Sequence, residues 1–269
     1  MSSSNHRGGG GLQSPMVVPF TRAVKALVIV NVVAWVVLNL ILETFVLREP
    51  WVTMYLGLVP AYFIKNFFVW QPLTYMFLHS ANPFHILFNM LMLWWLGSEL
   101  EQRWGPRFFL MYYFASGIGA GIIYAFGLLI ASLLSSAAPV ALMAPVVGAS
   151  GAVFGLLLAY GMIFGDRVVY FMMLFPMRAR YFVMILGAVE AVTLLNNGGG
   201  SNVANLAHLG GIAAGYLFLL VSTRFQQSRW RKQGSKRGGR GLRLVVSNVK
   251  DGQGDGKKDD KKDGPKYWN

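Results

Sequence analysis

Six apolar runs dominate the chain, and each run predicts a helix. They lie at roughly Ala26–Phe45, Phe84–Leu100, Phe108–Leu134, Gly148–Phe164, Tyr181–Leu195 and Val203–Val221. The third run holds no charged residue across 27 positions. About 20 apolar residues suffice for a helix to cross the hydrocarbon core of a bilayer. The pattern therefore predicts an all-α membrane protein of six transmembrane helices. The fifth run is short. Pro176, Arg178 and Arg180 in "YFMMLFPMRAR" place the segment before it at the membrane interface. Three regions follow: a disordered polar N-terminus at 1–21, a six-span core at 22–223, and a basic, disordered tail at 224–269.

Composition agrees with that picture. Apolar residues make up 55% of the 269-residue chain and charged residues 13%, against about a quarter charged in soluble domains. The absence of cysteine excludes disulfides, thiol nucleophiles and thiolate metal sites. The polar, Gly/Ser-rich start lacks a signal-peptide pattern, so the first span is expected to act as its own insertion signal.

Charge sets the expected orientation. Of the formal +13, a net +9 lies from Arg224 onward. Arg22 and Lys25 precede the first run, Arg103 and Arg107 follow the second, and Arg167, Arg178 and Arg180 lie between the fourth and fifth. By the positive-inside rule these loops and both termini face the cytoplasm. The tail reads as a solvated end able to contact anionic lipids. A single "RGGRG" is too little to call for nucleic acid, and none is expected as a partner. The first outer loop, roughly Val46–Pro83, is rich in Trp, Tyr and Phe and is expected to lie partly in the headgroup region.

Polar side chains in the runs collect at one depth. His85 and Asn89, four apart in "HILFN", share a helix face near the outer start of the second run. Ser150 stands at the outer start of the fourth and His208 about two turns into the sixth. Polar residues in a bilayer are costly and usually face a bundle interior or a wet cavity. Gly151 and Gly155 in the fourth run, and Gly211 and Gly215 in the sixth, each form a GxxxG that allows close helix approach. Each feature alone is compatible with packing. Together they would bring a serine hydroxyl beside an imidazole, the minimum for a nucleophile activated by a general base. "GASGA" departs from the G-x-S-x-G elbow at Ala152, and no strand precedes it, which argues against an α/β-hydrolase.

Four motifs in order resemble those of the rhomboid intramembrane serine proteases. "HILFN" looks like the family's H-x-x-x-N, and Gly97, Glu101 and Arg103 in "GSELEQR" like its G-x-x-x-E-x-R. "GASG" is similar to its G-x-S-G, and "AHLGGIAAG" to its A-H-x-x-G-x-x-x-G. The resemblance covers roughly residues 22–223 and implies a rhomboid-like bundle. It implies Ser150 as nucleophile and His208 as general base, with His85, Asn89 and the Ser150 backbone N–H as the oxyanion hole. Two departures stand out. Trp70-Gln71 replaces the family's frequent Trp-Arg in the first outer loop, which questions how that loop is anchored. Phe154 stands where the family often has Tyr against the catalytic ring, and is expected to pack on His208.

The chemistry expected is hydrolysis of peptide bonds in membrane-spanning protein substrates, near the outer leaflet, through an acyl-enzyme. It calls for no cofactor and no metal. No Asp or Glu is positioned by spacing to orient His208, so a dyad is expected. Glu190, alone in the fifth run, has no role assigned by spacing, and Gly148 is expected to leave room for substrate backbone. Glu101 and Arg103 are expected to tie helix ends on the cytoplasmic side, and His79, without an Asn partner, to be structural. "NNGGGSN", between the fifth and sixth runs, has the composition of a mobile lid, and the fifth span is expected to be the side gate. The plain six-span layout suggests a prokaryotic inner membrane. A non-catalytic rhomboid-like scaffold is the main alternative, though such members typically lack the Ser or the His. A small transporter is disfavoured because no inverted repeat is evident.

Overall fold

The computed structural model describes residues 19–134, 140–171, 175–196 and 203–237. Residues 1–225 form one compact unit and 226–269 a second. Helix α1 (Arg22–Ala34) continues with π winding over Trp35–Leu47 and ends at Arg48 in a left-handed conformation (φ 54°). Three short helices follow: α2 (Trp51–Leu56), α3 (Pro60–Lys65) and α4 (Gln71–Thr74). The long elements are α5 (Pro83–Trp104), α6 (Pro106–Leu134), α7 (Ser150–Ile163), α8 (Ala179–Asn196) and α9 (Val203–Arg237).

A helix thus occupies each of the six apolar runs. Among the described residues, three helical segments are long and apolar enough to cross a membrane: Arg22–Leu47, Pro106–Leu134 and Ala204–Arg224. Helix α7 is apolar but shorter. The outward faces carry large apolar side chains, including Ile29, Val33, Leu87, Phe88, Met184 and Leu217, as surfaces solvated by lipid do. The architecture is mostly helical, with one exception. The fold is not purely helical, because Val168–Phe171 (β1) and Phe175–Arg178 (β2) pair as an antiparallel hairpin with Val168 opposite Arg178. Pro176 and the flanking arginines disfavour continuing helix α8 backward through this segment. The hairpin's ends are held by ion pairs instead, Arg180 with Asp166 at 3.2 Å and Arg167 with Glu99 of α5.

Local signals set the long helices. Asn82 accepts from the Phe84 N–H at 3.0 Å and Pro83 occupies the first turn of α5, both favourable helix starts. Helix α5 stops at Gly105, whose φ of +78° suits glycine, and Pro106 begins α6. The N-terminus of α1 has no cap of its own. Glu101, from the far end of α5, supplies one by accepting from the Thr21 hydroxyl at 2.5 Å and from the Ala23 and Val24 N–H groups at 3.0 and 2.9 Å. A carboxylate at a helix N-terminus satisfies orphan donors and favours the dipole. Gly97, one turn earlier, sits under Val24 and Phe109 and so lets α1 and α6 close on α5. Arg103 is exposed in the last turn of α5.

The segment 46–83 is anchored without an arginine after Trp70. Gln71 is fully buried, accepts from the Val59 N–H at 3.1 Å and donates to the Met54 and Tyr55 carbonyls. Trp70 donates its indole N–H to Tyr55 O at 2.9 Å. Glu43, near the end of the π-wound segment, accepts from the Thr53 N–H and hydroxyl at 2.7 and 2.8 Å. Trp51, Tyr55, Phe67 and Val69 remain exposed on the loop's outer side.

The interior is built on large aromatic residues. Tyr75, Tyr112, Tyr113, Tyr124, Tyr160 and Phe109 are all fully buried. Two tyrosines bond backbone carbonyls of neighbouring helices: Tyr75 to Gly117 O and Tyr112 to Gly155 O, both at 2.6 Å. Helix α9 continues to Arg237, into the segment expected as a tail. Residues 1–18 and 238–269, and with them most of the N-terminal and C-terminal extensions, lie outside the described residues. So does 197–202, the expected lid.

The Glu101 cap gives a direct test of how α1 is held. Glu101→Ala removes one acceptor group serving three donors and should destabilise the fold by about 2 kcal/mol, read as a lower thermal unfolding temperature in detergent micelles.

Candidate active site

The structure brings Ser150, His208 and His85 to one place and sets Asn89 one turn behind His85. Ser150 is the first residue of α7, where a helical N–H has no intrahelical partner. Its Oγ lies 2.9 Å from Nε2 of His208 on α9. Phe154, one turn along α7, stacks flat on the His208 ring with centroids 4.3 Å apart and planes 14° apart. The imidazole is therefore held between a hydroxyl at one edge and an aromatic ring on one face.

Glycines make that contact possible. At Gly211 a Cβ would collide with the Gly151 carbonyl. Helices α7 and α9 thus touch backbone to backbone one residue after Ser150 and three after His208. The glycines expected to bring the fourth and sixth runs together also meet a third helix. A Cβ on Gly155 would meet Ser116 of α6, and one on Gly215 would meet Tyr112 of the same helix. Helix α6 is the third member of the seam, and the small-residue pattern in the fourth and sixth runs says nothing about it.

Gly148 has a two-part explanation. Its φ of +128° is a conformation L side chains rarely adopt. A Cβ there would stand 3.0 Å from His85 Nε2 and 3.6 Å from Ser150 Oγ. The open space beside Ser150 therefore exists because residue 148 has no side chain. Its N–H donates to Tyr75 O at 2.9 Å, which fixes the turn.

The tautomer of His85 follows from its surroundings. The Ser80 backbone N–H, which can only donate, points at His85 Nδ1 at 3.2 Å. In the neutral ring Nδ1 is then the acceptor, so Nε2 carries the proton and directs it toward the space over Gly148. Ser80 escaped the sequence reading because nothing in its spacing marks it. Asn89 is buried and donates one amide hydrogen to its own helix at His85 O, 2.8 Å away. Its second amide hydrogen is available to a ligand.

Glu190 is the largest departure from expectation. Spacing places no carboxylate near His208, yet α8 carries Glu190 Oε1 to 3.1 Å from His208 Nδ1. The only sequence signal was an acidic residue inside an apolar run. His79 packs edge-on against His85 with centroids 5.2 Å apart. It is fully buried, and neither ring nitrogen has a hydrogen-bond partner among the described residues. Burial first, and the neighbouring His85 second, push this loop imidazole down to about 3. No group of three or more His, Cys, Asp or Glu among the described residues could hold a metal ion.

Residues 66–225 match the family model described as the Rhomboid domain. RHOMBOID-like protein 1 of Arabidopsis thaliana is 34% identical over 154 residues, which cover 57% of this chain and 34% of that protein. Rhomboid protease GluP of Bacillus subtilis (strain 168) is 32% identical over 151 residues, 55% of this chain and 25% of that one. YdcA of the same bacterium is 28% identical over 221 residues, 80% of this chain and 92% of that one. The chain thus spans about a third of the first relative and a quarter of the second. Relatives from a plant and a bacterium give no preference for a prokaryotic membrane.

The buried neutral His79 predicts acid sensitivity. An unfolded imidazole takes a proton near pH 6.5, while the folded one resists down to about 3. Stability is therefore complete above about pH 6.5 and falls as pH drops toward 3, by up to about 1.4 kcal/mol per unit. Thermal unfolding between pH 7 and 4 should be flatter for His79→Gln than for the wild type.

Proposed function

Because the chain belongs to the rhomboid family and is an integral membrane protein, we propose that it is a serine endopeptidase cleaving membrane-spanning proteins near the outer leaflet. The observation that carries this reading is the 2.9 Å approach of Ser150 Oγ to His208 Nε2, beside an imidazole N–H over Gly148. Relatives named as proteases support it.

In this reading His208 Nε2 takes the proton of the Ser150 hydroxyl as Oγ bonds to the scissile carbonyl carbon. The negative charge that develops on the carbonyl oxygen is met by His85 Nε2–H, the second Asn89 amide hydrogen and the Ser150 backbone N–H. Donors fixed in a site of low dielectric are worth about 3–4 kcal/mol each. The C–N bond then breaks, and His208 returns the proton to the leaving amine. Water, deprotonated by the same imidazole, releases the acyl half. Phe154 keeps the ring in plane while its charge changes. No cofactor or metal enters any step.

The topology proposed with this chemistry is six spans over 22–223 with both termini cytoplasmic, on the strength of the positive loops. Helices α5, α7 and α9 then start on the outer side, which puts Ser150 and His208 in the outer leaflet. Helix α8, with its exposed Met184, Ile185 and Val189, is the proposed side gate for a substrate helix. The basic C-terminal segment is proposed to contact anionic lipids.

Cleavage of a single-span model substrate tests the reading. Ser150→Ala and His208→Ala should abolish cleavage with the fold intact. Asn89→Ala should slow it by about a hundredfold, the loss typical of one oxyanion donor. Covalent labelling by a fluorophosphonate should disappear in Ser150→Ala; wild-type cleavage by that variant would refute the assignment.

A further inference from the structure

We propose that Glu190 is a positioning residue for His208, making the pair a Ser150–His208–Glu190 array; this rests on Ser150 and His208 being nucleophile and base. Glu190 Oε1 lies 3.1 Å from His208 Nδ1, and the two side chains are only 18% and 16% exposed. His208 Nδ1 and Glu190 Oε2 are both buried without a hydrogen-bond partner among the described residues. In this resting arrangement the ring N–H is not aligned on the carboxylate. At 3.1 Å the two atoms are already within hydrogen-bond distance. A buried donor and a buried acceptor left unmet at that distance each cost free energy that such an alignment recovers.

The other contacts of His208 leave this task open. Phe154 sets the plane of the ring, but a stacked hydrocarbon ring cannot choose which nitrogen carries the proton. A carboxylate accepts only, so it selects the tautomer with hydrogen on Nδ1. That leaves the Nε2 lone pair facing the Ser150 hydroxyl, as a general base requires. Once Nε2 takes the serine proton, the ring is a cation among apolar helices, and a carboxylate at its other edge stabilises it. His85 from α5 is also within electrostatic reach of His208.

Glu190 arrives from α8, and its position there is held. Asn205 of α9 reaches the Glu190 carbonyl at 3.4 Å. One turn earlier a Cβ on Gly187 would make only ordinary contact with Ile212, at 3.8 Å. At these two positions α8 meets α9 through a polar contact and an ordinary van der Waals contact, without the backbone approach seen between α7 and α9. A shift of α8 would move the carboxylate relative to the imidazole, so the same helix that is proposed to admit substrate also carries the group that orients the base.

The test is steady-state cleavage by reconstituted full-length protein carrying Glu190→Gln, Glu190→Leu or Glu190→Asp, with fluorophosphonate labelling in parallel. Glu190→Gln keeps an acceptor and loses the charge, and should lower kcat roughly tenfold. Glu190→Leu loses both and should lower it about a hundredfold, less than the ~10⁴ of a soluble triad because Phe154 still holds the ring. KM should stay within about twofold, because Glu190 does not touch substrate, and Glu190→Asp should restore most of kcat. If Glu190→Leu fails to fold, the near-isosteric Glu190→Gln carries the test. Wild-type kcat in Glu190→Gln, with Ser150 labelled normally, overturns this proposal alone. If Ser150 of the wild type is neither labelled nor active, the nucleophile reading and this proposal fall together.

Discussion

The contact between the backbones of α7 and α9 at Gly151 and Gly211 is the constraint from which the rest of the site follows. Two helices can approach this closely only where neither carries a Cβ. Ser150 precedes one of these glycines by one residue and His208 precedes the other by three, so the hydroxyl and the ring are brought to 2.9 Å. A Cβ on Gly211 would collide with the Gly151 carbonyl and push α9 off α7, while one on Gly151 would press on Ala120 of α6 and the Tyr75 hydroxyl. In lipid there is no hydrophobic drive to press helices together, and close packing must supply the attraction instead. Helix α6 completes the seam. Ser116 and Tyr112 fill the space beside Gly155 and Gly215, and Tyr112 bonds the Gly155 carbonyl.

A second set of polar contacts holds the Ser150 end of the bundle around that seam. Tyr75 links the first loop to α6 through Gly117 O and to the turn before α7 through its own carbonyl. Gln71 and Glu43 satisfy backbone groups that would otherwise be stranded in an apolar loop. Asn39 accepts the His79 N–H at 3.1 Å, and Ser80, the next residue, fixes the tautomer of His85. A chain of short-range bonds therefore runs from the end of α1 to the imidazole above Gly148. Its members are separated by up to 40 residues, yet together they determine which way one N–H points.

Much of this could be read before any coordinates. Apolar run length marked the helices because a bilayer leaves no other way to satisfy the backbone. Pro176 and its arginines set the segment before α8 apart from the helix that follows, although its pairing as a hairpin needed the register of two strands to be seen. The glycine spacing marked helix faces that allow close approach. It did not by itself name α6 as the third partner, although that helix carries small residues of its own at 116–121 and its Ala120 lies against Gly151.

Periodicity and composition are local properties, and they determine which residues share a helix face, how deep each polar group lies in its helix, and which faces are smooth enough to meet. The rotation of one helix about its axis relative to another depends on contacts between segments far apart in the chain. For that reason only the tertiary structure decided that Glu190 of α8 faces His208 rather than lipid, that Ser80 rather than a carboxylate orients His85, and that Gly148 leaves its space between His85 and Ser150. Glu190 stood out in the sequence as a charge in an apolar run. The 3.1 Å between its carboxylate and an imidazole is a fact about packing.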